Sequence, residues 1–261
     1  MKILNTPHIR VIASSVLSTT GVDSFLDAEA GSWRTDATSD QEKLSELAGR
    51  ICYMSFGDKQ GRKTNREYLD NILESAHGSV LEHASFSLLI SGISRSLTHE
   101  LIRHRAGFAY SQLSQRYVDE SDTDYVIPDV IDSDPELRAQ FLTAIEQAHQ
   151  AYLMLAEGLA KKAERDFPEL SKTERRKLAR QAARSVLPNA TETKIVVTAN
   201  VRAWRHFIEL RGSSHAEPEI RKLAVLVLQT LQPLAPNLFA DYDLEPCPDG
   251  GKAITVSHRK V

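Results

Sequence analysis

The sequence predicts a helix-rich α/β fold of the α+β type, a single domain built around a sheet. Three observations carry that expectation. Seven segments repeat apolar residues at helical spacing between recognisable caps, and two shorter runs of branched and aromatic residues lie among them. No internal repeat, low-complexity stretch or linker divides the chain. With 261 residues, 41% hydrophobic and 26% charged, it is long enough to bury a core.

The elements follow in order. Ser39-Asp-Gln-Glu42 reads as a capping box, and Leu44, Leu47, Ala48, Ile51 and Cys52 continue at helical spacing to about Ser55. Cys52 is thereby placed on the apolar face. Residues 57–63 read as a surface loop. Thr64-Asn-Arg-Glu67 opens a second helix, with Tyr68, Leu69, Ile72, Leu73 and Ala76 inward and Gly78 as its stop. Ala84 to Ile93 reads as a strand, with Phe86, Leu88 and Ile90 on one side, and a helix then runs from Ser94 to His104. Asp134-Pro135-Glu136 starts a long helix that carries Leu137, Phe141, Ile145, Tyr152 and Leu155 toward Pro168, long enough for a scaffold or an oligomer contact. A further helix spans Lys172 to Leu187. Thr193 to Ala199 is the best strand of the C-terminal half, and Asn200 caps a helix with Trp204, Phe207 and Ile208 inward that ends at Gly212. Pro218 to Leu231 forms the last helix. Residues 1–245 make the domain, and 246–261 read as a polar, loosely held tail.

Composition excludes several classes. The 32 basic and 35 acidic residues give a net charge of −3, which argues against a constitutive nucleic-acid binder. Cys52 and Cys247 cannot build a disulfide framework and lie in no zinc spacing, so a reducing cytoplasm is expected. No apolar run suits a signal peptide or a membrane span. There is no G-x-G-x-x-G, Walker A, H-E-x-x-H or G-x-S-x-G. His77 and His83 lack the companions that a metal site needs, and no metal is expected. A packed Cys52 and a tail Cys247 make poor nucleophiles.

The charge is nevertheless uneven. Residues 100–116 hold Arg103, Arg105 and Arg116 against Glu100 alone, interleaved with His104, Phe108, Tyr110, Gln112 and Ser114. Residues 172–184 hold six cations against Glu174, and residues 200–215 hold Arg202, Arg205 and Arg211 against Glu209. Guanidinium forks match phosphate oxygens two at a time, so arginine gathered in an acidic chain points to a nucleotide or a phosphorylated cofactor. The 172–184 helix reads best as a solvated face, Arg184 excepted. Tyr110, Tyr117 and Trp204, taken singly, read as packing residues.

The string Leu-Ile-Arg103-His104-Arg105-Ala-Gly-Phe-Ala-Tyr-Ser-Gln-Leu-Ser114-Gln-Arg-Tyr resembles the signature of the flavin-dependent thymidylate synthases. Glu82-His83-Ala-Ser-Phe86 resembles that family's histidine turn, Ala182-Ala-Arg184-Ser-Val-Leu-Pro188 its phosphate-contacting segment, and Asn200-Val-Arg202 through Arg211-Gly-Ser-Ser-His215 its C-terminal site motif. Four ordered blocks across residues 50–230 make the resemblance specific.

The resemblance implies conversion of dUMP to dTMP with methylenetetrahydrofolate as one-carbon donor, FAD as cofactor and NADPH as reductant. It also implies a homotetramer with shared active sites around a mostly antiparallel sheet, in the cytoplasm. Carried over by motif, Ser79, Glu82, Arg103, His104, Arg105, Gln112, Asn200, Arg202 and His206 contact FAD. Glu100, Arg103, Gln112, Leu113, Ser114, Gln115, Arg116, Arg184 and Arg211 receive dUMP. Arg211 is the catalytic residue, facing the uracil, and Arg184 holds the phosphate. Ser114 is assigned to binding, since no base stands near it in sequence. Two other classes make different forecasts: a regulatory nucleotide-binding module would be colourless, and an RNA-binding protein would show steep salt dependence.

Overall fold

The computed structural model describes residues 1–29 and 31–261. Its elements are β1 (Ile3–Leu4), β2 (His8–Ser14), α1 (Thr19–Ala28), α2 (Asp40–Tyr53), α3 (Asn65–Glu74), β3 (Ser85–Ser94), α4 (Arg95–Leu101), β4 (Phe108–Gln112), β5 (Tyr125–Val126), α5 (Asp129–Asp132), α6 (Pro135–Asp166), α7 (Lys172–Ala183), β6 (Glu192–Asn200), α8 (Val201–Arg211), α9 (Pro218–Leu231), β7 (Tyr242–Pro246) and β8 (Lys252–Val256). The main sheet runs β2-β3-β6-β4, beside a parallel pair β1-β5 and an antiparallel hairpin β7-β8. The class is the expected one, helix-rich α/β with an antiparallel sheet.

The helices start where capping chemistry puts them. Thr64 and Glu67 form a reciprocal capping box at α3, and Asp134 accepts from the Glu136 and Leu137 amides ahead of α6. Asn200 accepts from Ala203 N–H at the head of α8, 2.9 Å away.

The residues group into two compact units, each assembled from separate stretches of chain. The first comprises Met1–His8, Ile90–Leu101 and Ser111–Ile195; the second comprises Ile9–Leu89, Ile102–Tyr110 and Val196–Val261. Strands β2, β3, β4 and β6 each have residues in both groupings, so there is no linker for composition to betray.

In the first unit α6 packs along α7 and buries Ile145, His149 and Tyr152, while Tyr125 Oη meets His149 Nδ1 at 3.0 Å. Leu137, Met154 and Leu155 of α6 stay exposed. In the second, α8 packs on α9 and buries Trp204, Phe207 and Ile208, and the Trp204 indole donates to the Phe86 carbonyl. Trp204 is thus a packing residue, as expected. Tyr117 is not: it is exposed, with Lys177 Nζ 4.8 Å from its ring.

Four expectations change. Cys52 is exposed rather than packed, because α2 turns its polar side inward: Arg50 and Glu46, each 1% exposed, pair at 2.7 Å. Apolar periodicity cannot see a buried charge pair. The polar tail is held, since β8 closes a hairpin, Ala253, Ile254 and Val261 are buried, and Ile254 N–H donates to Gly212 O at 2.7 Å. The helix after β3 stops at Leu101, which leaves His104 on a loop. Gly78 does not end α3; Ser75 caps it, and Gly78 opens a 3-10 turn to Glu82. In addition β1, β2, α1, β4, β5 and the final hairpin carried no clear periodic signal.

Candidate active site

The second unit gathers one set of the predicted residues. The loop after α4 presents Arg103, His104 and Arg105, and α8 presents His206 and Arg211. With Ala106, Phe108 and Leu210 they line a cavity of about 710 Å³. Gly107 lets this loop close on α8. Its φ is +75°, and a Cβ there would come within 2.9 Å of both Ala203 Cβ and the Asn200 amide.

Within the cavity Arg211 Nε donates to His104 Nε2 at 3.0 Å. A guanidinium can only donate, so Nε2 accepts and the imidazole proton sits on Nδ1. Burial, the Arg211 charge and His206 together push His104 down to about 4. Phe207 packs edge-on to it at 5.4 Å, and Tyr110 Oη donates to its carbonyl at 2.6 Å. A neutral histidine therefore accepts from the Arg211 guanidinium and adds no charge of its own to the cavity. The linkage has a testable sign. Above pH 6.5 both folded and unfolded His104 are neutral. As pH falls from about 6.5 through about 4, the unfolded chain takes up a proton that the folded one refuses, and stability is lost across that window. Denaturant titrations at pH 7 and pH 5 will show the loss, and His104→Gln will reduce it; an equal loss in that variant would show that other groups set the slope.

Other residues of this unit have defined places. Arg202 Nη1 pairs with Glu82 Oε1 at 2.5 Å, both being partly exposed. The pair lies over the 3-10 turn that exposes Ser79, and a Cβ at Gly78 would meet Arg202 Nε at 2.8 Å. Asn200 spends its carbonyl oxygen on the α8 cap. Arg205 leaves the basic group: it is 1% exposed and forks onto Asp241 at 2.7 and 2.9 Å.

The first unit gathers the remaining set. Gln112 Nε2 donates to Thr98 and Thr193 hydroxyls, and Leu113 N–H to Lys194 O. Ser114 organises the following turn, its Oγ accepting from Arg116 N–H and its carbonyl from Tyr117 and Val118 N–H. This is a structural duty that suits binding better than nucleophilic attack. Gln115 is buried with Nε2 unpartnered, as is Arg116 Nε. Arg184 caps α7, and Glu100 is half-buried on α4.

Two residues here escaped sequence reasoning. Arg95 has a buried Nη1 without a partner and Glu120 a buried Oε1 likewise. Burial lowers Arg95, opposed by the Glu120 charge and reinforced by Arg184. Unspent buried donors beside like charges suit an anionic ligand. Arg95 was unreadable because it opens α4 as an isolated cation outside every motif. On α7, Arg180 is committed to Tyr117 O and Asp119, which weakens the case for a free basic face.

A family model described as "Thymidylate synthase complementing protein" matches residues 35–237. Among curated relatives, a flavin-dependent thymidylate synthase of Mycobacterium sp. (strain JLS) is 53% identical over 226 residues, 86% of this chain and 88% of that protein. One from Corynebacterium efficiens is 47% identical over 233 residues, 89% and 91% of the two chains. Among solved structures, a UMP/dUMP methylase PolB from Streptomyces cacaoi bound with 5-Br dUMP aligns with TM-score 0.65 at 19% identity, covering 92% of this chain and 96% of that one. That likeness speaks to the fold, whereas the sequence matches span most of the chain at about half identity. The chain belongs to the flavin-dependent thymidylate synthase family.

Proposed function

We propose that this protein methylates C5 of dUMP to give dTMP, with methylenetetrahydrofolate as one-carbon donor, FAD as cofactor and NADPH as reductant. The observation that carries the reading is the Arg211–His104 pair, a fixed cation on a neutral support inside a cavity of the size small ligands occupy. The residue set suits FAD. Exposed Arg103 and Arg105 at the cavity offer donors for a pyrophosphate, His206 offers a ring nitrogen, and Arg202, Asn200 and Ser79 extend the polar surface. Bound FAD would supply the hydride that completes the methyl group.

The chain's own residues do the rest. Uracil attacks a one-carbon unit only when electron-rich at C5, and a guanidinium beside N3 and its neighbouring carbonyl favours the ionised ring. Arg211 provides that charge. Arg184 holds the dUMP phosphate, with Arg116, Gln115 and Ser114 supplying donors and Glu100 accepting from uracil or ribose. No cysteine adduct on C6 is required. Exposed Leu137, Met154 and Leu155 on α6 offer an apolar contact for a second copy, and the homotetramer with shared active sites is what the family resemblance implies.

The decisive experiment is on purified protein. A yellow sample that bleaches with NADPH and reoxidises with dUMP and methylenetetrahydrofolate, forming dTMP, supports the reading; a colourless protein that binds dUMP without turnover overturns it. Arg184→Ala will raise the KM for dUMP by about tenfold or more, as loss of a charge-assisted phosphate contact requires, with the FAD complement intact. Loss of FAD instead would reverse the division between the two ligands.

A further inference from the structure

Residues 258–261 follow β8 and lie beyond the matched residues 35–237, yet they are fastened to α8, the helix that carries Arg202, His206 and Arg211. Glu209 of that helix is the main anchor. It is buried, and both of its carboxylate oxygens accept from this segment: Oε1 from Arg259 Nε at 3.0 Å and Oε2 from Lys260 N–H at 2.9 Å. One turn earlier on α8, Arg205 Nη2 donates to the His258 carbonyl at 3.4 Å, and Asp241, the partner of Arg205, accepts from His258 N–H at 3.3 Å. Lys260 takes a φ of +63°, a left-handed conformation unfavourable to an L residue, and its bound N–H and the buried Val261 after it hold it there.

That bend delivers Val261 to the turn from Gly78 to Glu82. The Val261 carbonyl carbon stands 3.1 Å from the point that a Gly78 Cβ would occupy, and Arg202 Nε stands 2.8 Å from the same point. Segment, turn and guanidinium therefore meet at one place, and a glycine at 78 leaves room for all three. Arg202, Arg205 and Glu209 recur at helical spacing, so the residues that grip the segment share a face of α8 with the arginine that it touches. Arg202 in turn pairs with Glu82 at the other end of the turn, across from exposed Ser79. All of these residues belong to the second unit.

We propose that residues 259–261, anchored by Glu209, are a positioning element for FAD: they brace Arg202 from behind and hold it, with Glu82 and the turn, in the arrangement that receives the cofactor. The inference rests on the reading above, which gives Ser79, Glu82 and Arg202 to FAD. A guanidinium on a long side chain has many rotamers to lose on binding, and a packed neighbour removes that loss in advance.

The test uses Arg259→Ala/Val261→Gly in the full chain, with the Kd for FAD read from flavin fluorescence on equilibrium dilution of the holoenzyme. It will rise about tenfold, the rise that follows when the competent arrangement falls to about one tenth of the population. Arg259→Lys, which keeps the charge on Glu209, will stay within about twofold of the parent. The KM for dUMP at saturating FAD will hold within the same range, and Tm of the FAD-free protein will move by no more than about 2 °C. The decisive control is an Arg202→Ala background, where the same double change will add less than about twofold, because the brace has no guanidinium left to place.

An unchanged Kd for FAD in Arg259→Ala/Val261→Gly overturns the proposal. So does a tenfold loss that recurs in the Arg202→Ala background, or one that comes with a lower Tm and a raised KM for dUMP, since the segment would then serve the fold alone. A parent protein that binds no FAD is a different result: it removes the flavin reading itself and this inference with it.

Discussion

Arg211→Ala will retain FAD and lose dTMP formation. The side chain enters the cavity from the last turn of α8, oriented by the acceptor nitrogen of His104. Removing one preorganised electrostatic partner of a developing anion costs about two to three orders of magnitude in turnover. Binding of dUMP weakens by about 1.5–3 kcal/mol, the worth of a lost charge-assisted contact. Rapid-quench measurement of dTMP, together with flavin absorbance, separates the two ligands. Arg211→Lys will recover only part of the rate, because an ammonium lacks the planar fork that can hold His104 and a ligand at once. Unchanged turnover in the alanine variant would remove Arg211 from the mechanism.

Glu46→Ala will cost about 3–5 kcal/mol of stability, the usual penalty for stranding one member of a buried ion pair, and will lower Tm by about 10 °C. Its carboxylate accepts from four donors: Trp33 Nε1 at 3.2 Å, Arg50 Nε at 2.7 Å, Thr35 Oγ1 at 2.6 Å and Asn65 Nδ2 at 2.8 Å. Truncation leaves the Arg50 charge buried and unanswered and frees the loop that Arg50 anchors. Replacing both partners, as Glu46→Leu/Arg50→Met, will recover much of the loss, since an apolar pair of similar volume avoids the desolvation that the ions suffer. Calorimetry on the three proteins decides it: a loss below about 1 kcal/mol in Glu46→Ala would mean that the pair is solvated in practice.

Legibility from sequence followed physical range. Helices α3, α6, α8 and α9 were readable to within a few residues because caps and apolar spacing act over one or two turns, and Thr64, Asp134, Asn200 and Gly212 each announce a terminus by local hydrogen bonding. The inner strands β3 and β6 were readable for the same reason. Short edge elements such as β1 and β5 were not, since Ile3 and Leu4 are strand only because Tyr125 and Val126 lie beside them. The same limit explains Cys52. Its helix was placed correctly and turned the wrong way, because Arg50 and Glu46 count as polar in any periodicity and are inward only by virtue of each other.

The sequence by itself determined the family, the helices and the arginine-rich motifs, all of which depend on residue order or on contacts a few positions apart. Only the tertiary structure decided which arginines are available. Arg205 is consumed by Asp241, Arg180 by Asp119 and Arg50 by Glu46, while Arg211 is held by His104, and Arg95 emerges with an unpartnered buried donor. A charge's role depends on what surrounds it within a few ångströms, and those neighbours lie tens to more than a hundred residues away along the chain for all but Arg50.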